Sequence, residues 1–139
     1  MKQILVLCTG NSTRSQMAHG YLHHFAGNRA HILSAGVETH GLNPKAVQVM
    51  AEDGIDISHH TSNLVDEYAH LPIDYVITVC DNAREHCPVW IGQAHVTHQN
   101  FTDPSRAVGS AEEVMDTYRA VRDQIKQFCR EFIQQHVPL

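Results

Sequence analysis

The chain has 139 residues and a net charge of −5, with 42% hydrophobic and 18% charged residues, the profile of one globular domain spanning 1–139 with room for a core. The negative balance argues against nucleic acid and anionic membranes as partners, and no apolar run approaches the ~18 residues of a membrane-spanning helix. No signal peptide precedes the first strand, so a cytoplasmic location is expected.

Ile4 to Leu7 reads as a buried strand ending at Cys8. After a small polar loop, Met17, Ala18, Tyr21, Leu22 and Phe25 mark a helix over about Arg14–Ala26, ended by Gly27. His31–Ala35 is a second strand. Asn43 and Pro44 open a second helix as cap and first residue, with Ala46, Val47, Met50 and Ala51 inward and Gly54 as its stop. Ile55–Ser58 is expected to be extended, and Ser62 to cap a short helix through Leu64, Val65 and Tyr68. Asp74–Val79 is the third strand, with Cys80 at its carboxyl end. Residues 81–94 show no period and read as a loop, which Val89, Trp90 and Ile91 would pin to the body. Ala94–His98 is a fourth strand and Phe101–Pro104 a turn. Ser110 and Glu113 then form a capping box, and Val114, Tyr118, Val121, Ile125, Phe128 and Phe132 follow as the stripe of a long last helix. Cys129, beside that stripe, is expected to be a core thiol.

This alternation predicts an α/β domain: a four-stranded parallel sheet with helices on both faces. Right-handed crossovers and a flavodoxin-like order, 2-1-3-4, put the first and third strands side by side. Ligands in such sheets bind beyond the strand carboxyl ends where the order reverses, and Cys8 falls there.

The loop suits an oxyanion. Thr9, Gly10, Asn11, Ser12 and Thr13 are small enough for their backbone N–H groups to turn inward, and Gly10 and Asn11 tolerate positive φ. The helix start contributes partial positive charge. Arg14 adds a full charge in a planar fork that matches two oxygens of a tetrahedral anion. Cys8 would point at the anion's centre, in the kind of field that favours a thiolate nucleophile. Ser15 is placed to donate a hydrogen bond to its sulfur.

Four cysteines occur, Cys8, Cys80, Cys87 and Cys129, in a chain expected to remain in a reducing compartment, where pairs are more often catalytic or metal-binding than structural. Neighbouring strands lie ~4.8 Å apart, so Cys80 can reach Cys8. Cys87 lies in a loop that spans ~23 Å if extended and reaches Cys80 by folding back. Three thiols in series suggest a relay in which a Cys8–Cys80 disulfide passes to Cys80–Cys87. The plainer alternative leaves Cys80 as a buried strand end and Cys87 as incidental. Asp103, in the turn after the fourth strand, is a candidate general acid at the same sheet edge. The twelve histidines include His23-His24 and His59-His60, without zinc spacing; scattered surface imidazoles are expected rather than a metal site.

The run Cys8-Thr9-Gly10-Asn11-Ser12-Thr13-Arg14-Ser15 resembles the phosphate loop of the low-molecular-weight protein tyrosine phosphatase fold. With Val79-Cys80-Asp81 and His86-Cys87-Pro88, the chain looks most like the thioredoxin-coupled arsenate reductases built on that fold. The resemblance spans essentially the whole chain. It implies arsenate as substrate, with phosphate or sulfate able to occupy the loop, and Cys8, Cys80 and Cys87 as redox cysteines. Asp103 would be the acid and thioredoxin the reductant, in a monomer without a cofactor. Ordinary phosphatases of the fold tend to carry an aromatic after their Asp-Pro, where this chain has Ser105 and Arg106. A phosphatase acting on phosphomonoesters through the same loop is the alternative. Some relatives hold potassium near the loop with carboxylates where this chain has His19 and Asn63. Asn11 and Ser34 alone are too few oxygens for a hard cation, so no metal is expected.

Overall fold

The computed structural model describes residues 1–80, 90 and 92–138. Its sheet has four parallel strands: β1 (Lys2–Cys8), β2 (Ala30–Gly36), β3 (Tyr75–Thr78) and β4 (His95–His98), in the spatial order β2-β1-β3-β4. This is the expected order. Cys8 pairs with Gly36, and Leu7 pairs with Thr78.

Because side chains alternate across a strand, β1 serves two cores. Ile4, Val6 and Cys8 join a large cluster with the helices α1 (Arg14–Ala26), α2 (Pro44–Glu52) and α3 (Ala111–His136). Leu5 and Leu7 join a smaller one with Ala35, Ile73 and Val76, against which Val65, Tyr68, Leu71 and Trp90 pack. Among the described residues, the 3₁₀ turn Val65–Tyr68 is the helical element on that second face. Val89 and Ile91, expected beside Trp90, lie outside the described residues.

The helix ends follow the expected chemistry. Asn43 Oδ1 accepts from the Lys45 N–H at 2.8 Å, and Pro44 takes the first helical position. Ser110 Oγ accepts from the Glu113 N–H at 3.1 Å, while Glu113 Oε1 accepts from the Ser110 N–H at 3.2 Å. On α2 the buried residues are Ala46, Val49 and Met50, so Val49 replaces Ala51, which is exposed. On α3 the stripe buries Tyr118, Val121, Ile125, Phe132 and Ile133, together with Cys129, whose thiol is pushed up by burial.

Several local expectations change. The Val65–Tyr68 turn starts later than expected, and Leu64 rather than Ser62 precedes it. The Leu64 N–H donates to Glu67 Oε2 at 2.7 Å, whereas Ser62 Oγ donates to the Gly10 carbonyl at 3.2 Å. The third strand stops at Thr78, although the Val79 N–H still donates to the Leu7 carbonyl at 3.0 Å. Residues 55–58 form no strand, and Ile57 is simply buried.

Candidate functional site

Strand β1 delivers Cys8 to the carboxyl edge of the sheet, and α1 begins at Arg14, so residues 9–13 must turn within one short loop. Surrounding groups accept the task of satisfying its carbonyls. The Thr9 carbonyl accepts from the Glu38 N–H at 3.0 Å, that of Gly10 from the His40 N–H at 3.0 Å, and that of Ser12 from the Asn43 N–H at 3.1 Å. Gln16 Nε2 donates to the Asn11 carbonyl at 3.0 Å. Four consecutive carbonyls are thus held by groups outside the loop.

Asn11 carries the loop's positive φ, 47°. Its side chain is spent on structure: Nδ2 donates to Ser15 Oγ at 2.8 Å, and Oδ1 accepts from the Asn63 N–H at 2.7 Å. Gly10, which could tolerate a positive φ, does not adopt one. What it supplies is space, since a Cβ there would lie 2.3 Å from His40 Nδ1. Gly36, opposite Cys8, likewise leaves room for the Thr9 carbonyl, which a Cβ would meet at 2.5 Å.

The loop walls a cavity of about 240 Å³ lined by Cys8, Thr9, Gly10, Ser12, Thr13 and Arg14, and by His40, Asn43, Asp103, Ser105 and Arg106. Cys8 is a free thiol, 3% exposed. Arg14 is also only 3% exposed; its Nη1 donates to the Phe101 carbonyl at 3.4 Å, and its Nη2 lies 3.6 Å from Asp103 Oδ2. Asp103 Oδ1 accepts from the Ser105 N–H at 3.0 Å and from Ser105 Oγ at 2.6 Å, the cap of the 3₁₀ turn Pro104–Arg106. Arg106 Nε stands 3.9 Å from Asp103 Oδ2. The aspartate therefore sits at the cavity between two guanidinium groups, one buried and one exposed.

The structure thus brings Cys8, Arg14, Asp103 and the loop residues together. Ser15, fully buried, accepts from Asn11, which leaves its own hydroxyl proton for another acceptor. Cys80 is fully buried and disulfide-bonded, whereas Cys8 and Cys129 are free thiols. The expected third redox cysteine, Cys87, lies outside the described residues.

Several site roles are invisible in the sequence. Asn43 is more than a helix cap: its Nδ2 donates to Thr13 Oγ1 and to Tyr118 Oη, both at 3.0 Å, tying the loop's end to α3. Gln16, His40 and Ser62 gave no local signal because their roles depend on distant carbonyls.

The histidines are less scattered than expected. His19, His23, His31, His59 and His60 line one open groove of about 640 Å³ on the far side of the loop. His19 and His60 stack with ring centroids 4.2 Å apart. Burial, then the neighbouring imidazoles, lowers His19 to about 3 and His60 to about 4, so both are neutral. The two oxygens considered for potassium are already in hydrogen bonds: Asn11 Oδ1 accepts from the Asn63 N–H, and Ser34 Oγ bonds His19 Nδ1 at 2.9 Å. Among the described residues no group of three or more His, Cys, Asp or Glu side chains could hold a metal ion, nor is any helix long and apolar enough to cross a membrane.

A strand ending in a buried free thiol, a short loop of small residues and an arginine at a helix start define the class. Residues 3–137 match the family model for low molecular weight phosphotyrosine protein phosphatases, and the chain belongs to that family. Within it, the chain is 44% identical over 131 residues to the arsenate reductase of Bacillus subtilis, covering 94% of each protein. Its fold matches a solved arsenate reductase in the phosphate-binding state with a TM-score of 0.83, at 30% identity over 97% of this chain and 98% of that one. The YwlE arginine phosphatase shares the fold with a TM-score of 0.75 at 22% identity, over 96% of this chain and 94% of that one.

Proposed function

We propose that the protein reduces arsenate to arsenite by a three-cysteine relay, with thioredoxin as the final reductant. The observation that carries this reading is the unequal state of the thiols. Cys8 faces the anion cavity as a free thiol, while Cys80, two residues beyond the neighbouring strand, is in a disulfide. A phosphatase needs only the first of these.

Arsenate enters the cavity against Arg14 and the amide edge of residues 9–14, whose carbonyls are drawn outward. The Cys8 thiolate attacks arsenic, and Asp103 protonates the departing oxygen, which leaves as water. Ser15 donates its hydroxyl proton to the Cys8 sulfur when that sulfur is anionic. The Cys80 thiolate then attacks Cys8 Sγ. The S–As bonding pair passes to arsenic, arsenite leaves, and a Cys8–Cys80 disulfide remains. Cys87 attacks Cys80 and releases Cys8 as thiolate, and a thioredoxin dithiol reduces Cys80–Cys87. Two electrons flow from sulfur to arsenic in each turn, so no bound redox cofactor is required.

The same loop supports a second reading, hydrolysis of phosphomonoesters through a Cys8 phosphoenzyme, which the family assignment favours. One assay separates the two. With thioredoxin, its reductase and NADPH supplied, NADPH consumption is expected to depend on arsenate, Cys8, Cys80 and Cys87. Robust phosphoester hydrolysis that is lost only in Cys8→Ser, without arsenate-dependent NADPH consumption, would establish the phosphatase instead.

A further inference from the structure

His40 is the one histidine lining the Cys8 cavity among the described residues, and the machinery above gives it no task. Three contacts fix it there. Its backbone N–H donates to the Gly10 carbonyl at 3.0 Å. Its Nε2 bonds Glu38 Oε2 at 2.6 Å. Its Nδ1 rests over Gly10, so closely that a methyl group at that residue would overlap it at 2.3 Å. The Glu38 N–H in turn donates to the Thr9 carbonyl at 3.0 Å. The Glu38–His40 pair is therefore anchored to the anion loop at two consecutive residues, with one ring nitrogen committed to the carboxylate and the other turned to the loop rim.

We propose that His40, oriented by Glu38, is a specificity-determining ligand of the bound oxyanion, with Nδ1 bonding an oxygen that Arg14 does not reach. This rests on the reading of the cavity as an arsenate site and adds a residue to it. A carboxylate on Nε2–H sets the ring's orientation. The other nitrogen then suits an inorganic oxyanion in either of its forms: it donates to a bare oxygen when the ring is protonated, and accepts from an As–OH or P–OH when the ring is neutral. A free tetrahedral anion presents one more unsubstituted oxygen to such a ligand than a phosphoester does. The same contact therefore favours a free tetrahedral anion over an ester.

The test uses inorganic phosphate as probe, by titration calorimetry on the reduced full chain, alongside arsenate-dependent NADPH consumption. His40→Ala is expected to raise the phosphate Kd and the arsenate KM about tenfold, equivalent to about 1.4 kcal/mol, with kcat within about twofold. His40→Gln keeps a donor and an acceptor and should recover part of the affinity. Glu38→Gln, which leaves the ring in place but weakens its orientation, should fall between them and alter the pH dependence of the phosphate Kd. Unchanged Kd and KM in His40→Ala would overturn the proposal, as would a fall in kcat and melting temperature without a KM change. If the wild-type chain binds phosphate in a His40-dependent way but turns over no arsenate, the ligand role stands and the arsenate reading falls. If arsenate turnover is normal and indifferent to His40, the reverse holds.

Discussion

The side-chain Oδ1 of Asn11 accepts a 2.7 Å hydrogen bond from the backbone N–H of Asn63, 52 residues away. That bond joins the anion loop to the segment after α2, and the same side chain holds Ser15 through its Nδ2. Asn11→Ala would leave the buried Ser15 hydroxyl without its donor and the Asn63 backbone N–H without its acceptor, while forcing alanine to a φ of 47°. The combined cost is at least about 3 kcal/mol, since each of the two orphaned groups costs ~1–3 kcal/mol and a left-handed residue another ~1–2. Denaturant unfolding checks this, and a loss below about 0.5 kcal/mol would show that the loop is held by other means. Asn11→Asp retains the acceptor toward Asn63 and should recover part of the stability.

Asp103 offers a cleaner separation of chemistry from structure. Its Oδ1 caps the Pro104–Arg106 turn through Ser105, and an asparagine Oδ1 can accept the same bonds. Asp103→Asn should leave the melting temperature within a few degrees while lowering kcat by about 10²–10⁴-fold, the usual range for a positioned proton donor. Stopped-flow measurement of the Cys8–arsenate step would locate the loss. A kcat within threefold of wild type would remove Asp103 from the reaction.

The histidines behind the loop make stability depend on pH. His19 is held at about 3 and His60 at about 4, against an ordinary value of ~6.5 in the unfolded chain. Between those values the unfolded chain binds more protons than the folded one, so stability falls as pH falls through that window and is fully present above it. His136, lowered by burial and by His95, acts in the same direction. The carboxylates lowered by their partners, Glu52 and Asp53, lose their contribution only at more acidic pH, around and below their ordinary values. Melting temperature should therefore drop between pH 7 and pH 5. The slope should flatten in His19→Gln, whose amide can still reach Ser34. An identical slope in that variant would show that His19 does not drive the effect.

Legibility in the sequence followed the range of each interaction. The parallel order and the position of Cys8 at the reversal came from local periodicity plus connection rules, and they hold. The Ser110–Glu113 box and the Asn43 cap are contacts between neighbours in sequence, and both formed. By contrast, Ser62 satisfies Gly10, and His40 packs on the same glycine. Nothing near either residue announces this, because the demand arises in a loop some 30 to 50 positions earlier. The same holds for His19 and His60, which only folding stacks together. A turn at Val65–Tyr68 formed in place of a longer helix because Glu67 reaches back to the Leu64 N–H, leaving Ser62 to serve the anion loop.

That packing also decides the response to monovalent cations. A hard cation near the loop would need several oxygens free to face it. Asn11 Oδ1 is occupied by the Asn63 N–H, Ser34 Oγ by His19 Nδ1, and Asn63 Oδ1 by Thr61 Oγ1 at 2.8 Å. In place of a carboxylate the site presents the neutral rings of His19 and His60, and the amide of Gln16 is committed to Asn11, Thr61 and His60. Exchanging sodium chloride for potassium chloride at constant ionic strength should therefore shift the melting temperature by less than about 1 °C and leave the arsenate KM unchanged. A several-fold greater effect of potassium than of sodium would mean that these bonds open to admit the ion. His19→Glu, which restores a charge beside Ser34 and Asn63, should be the variant that acquires such a response.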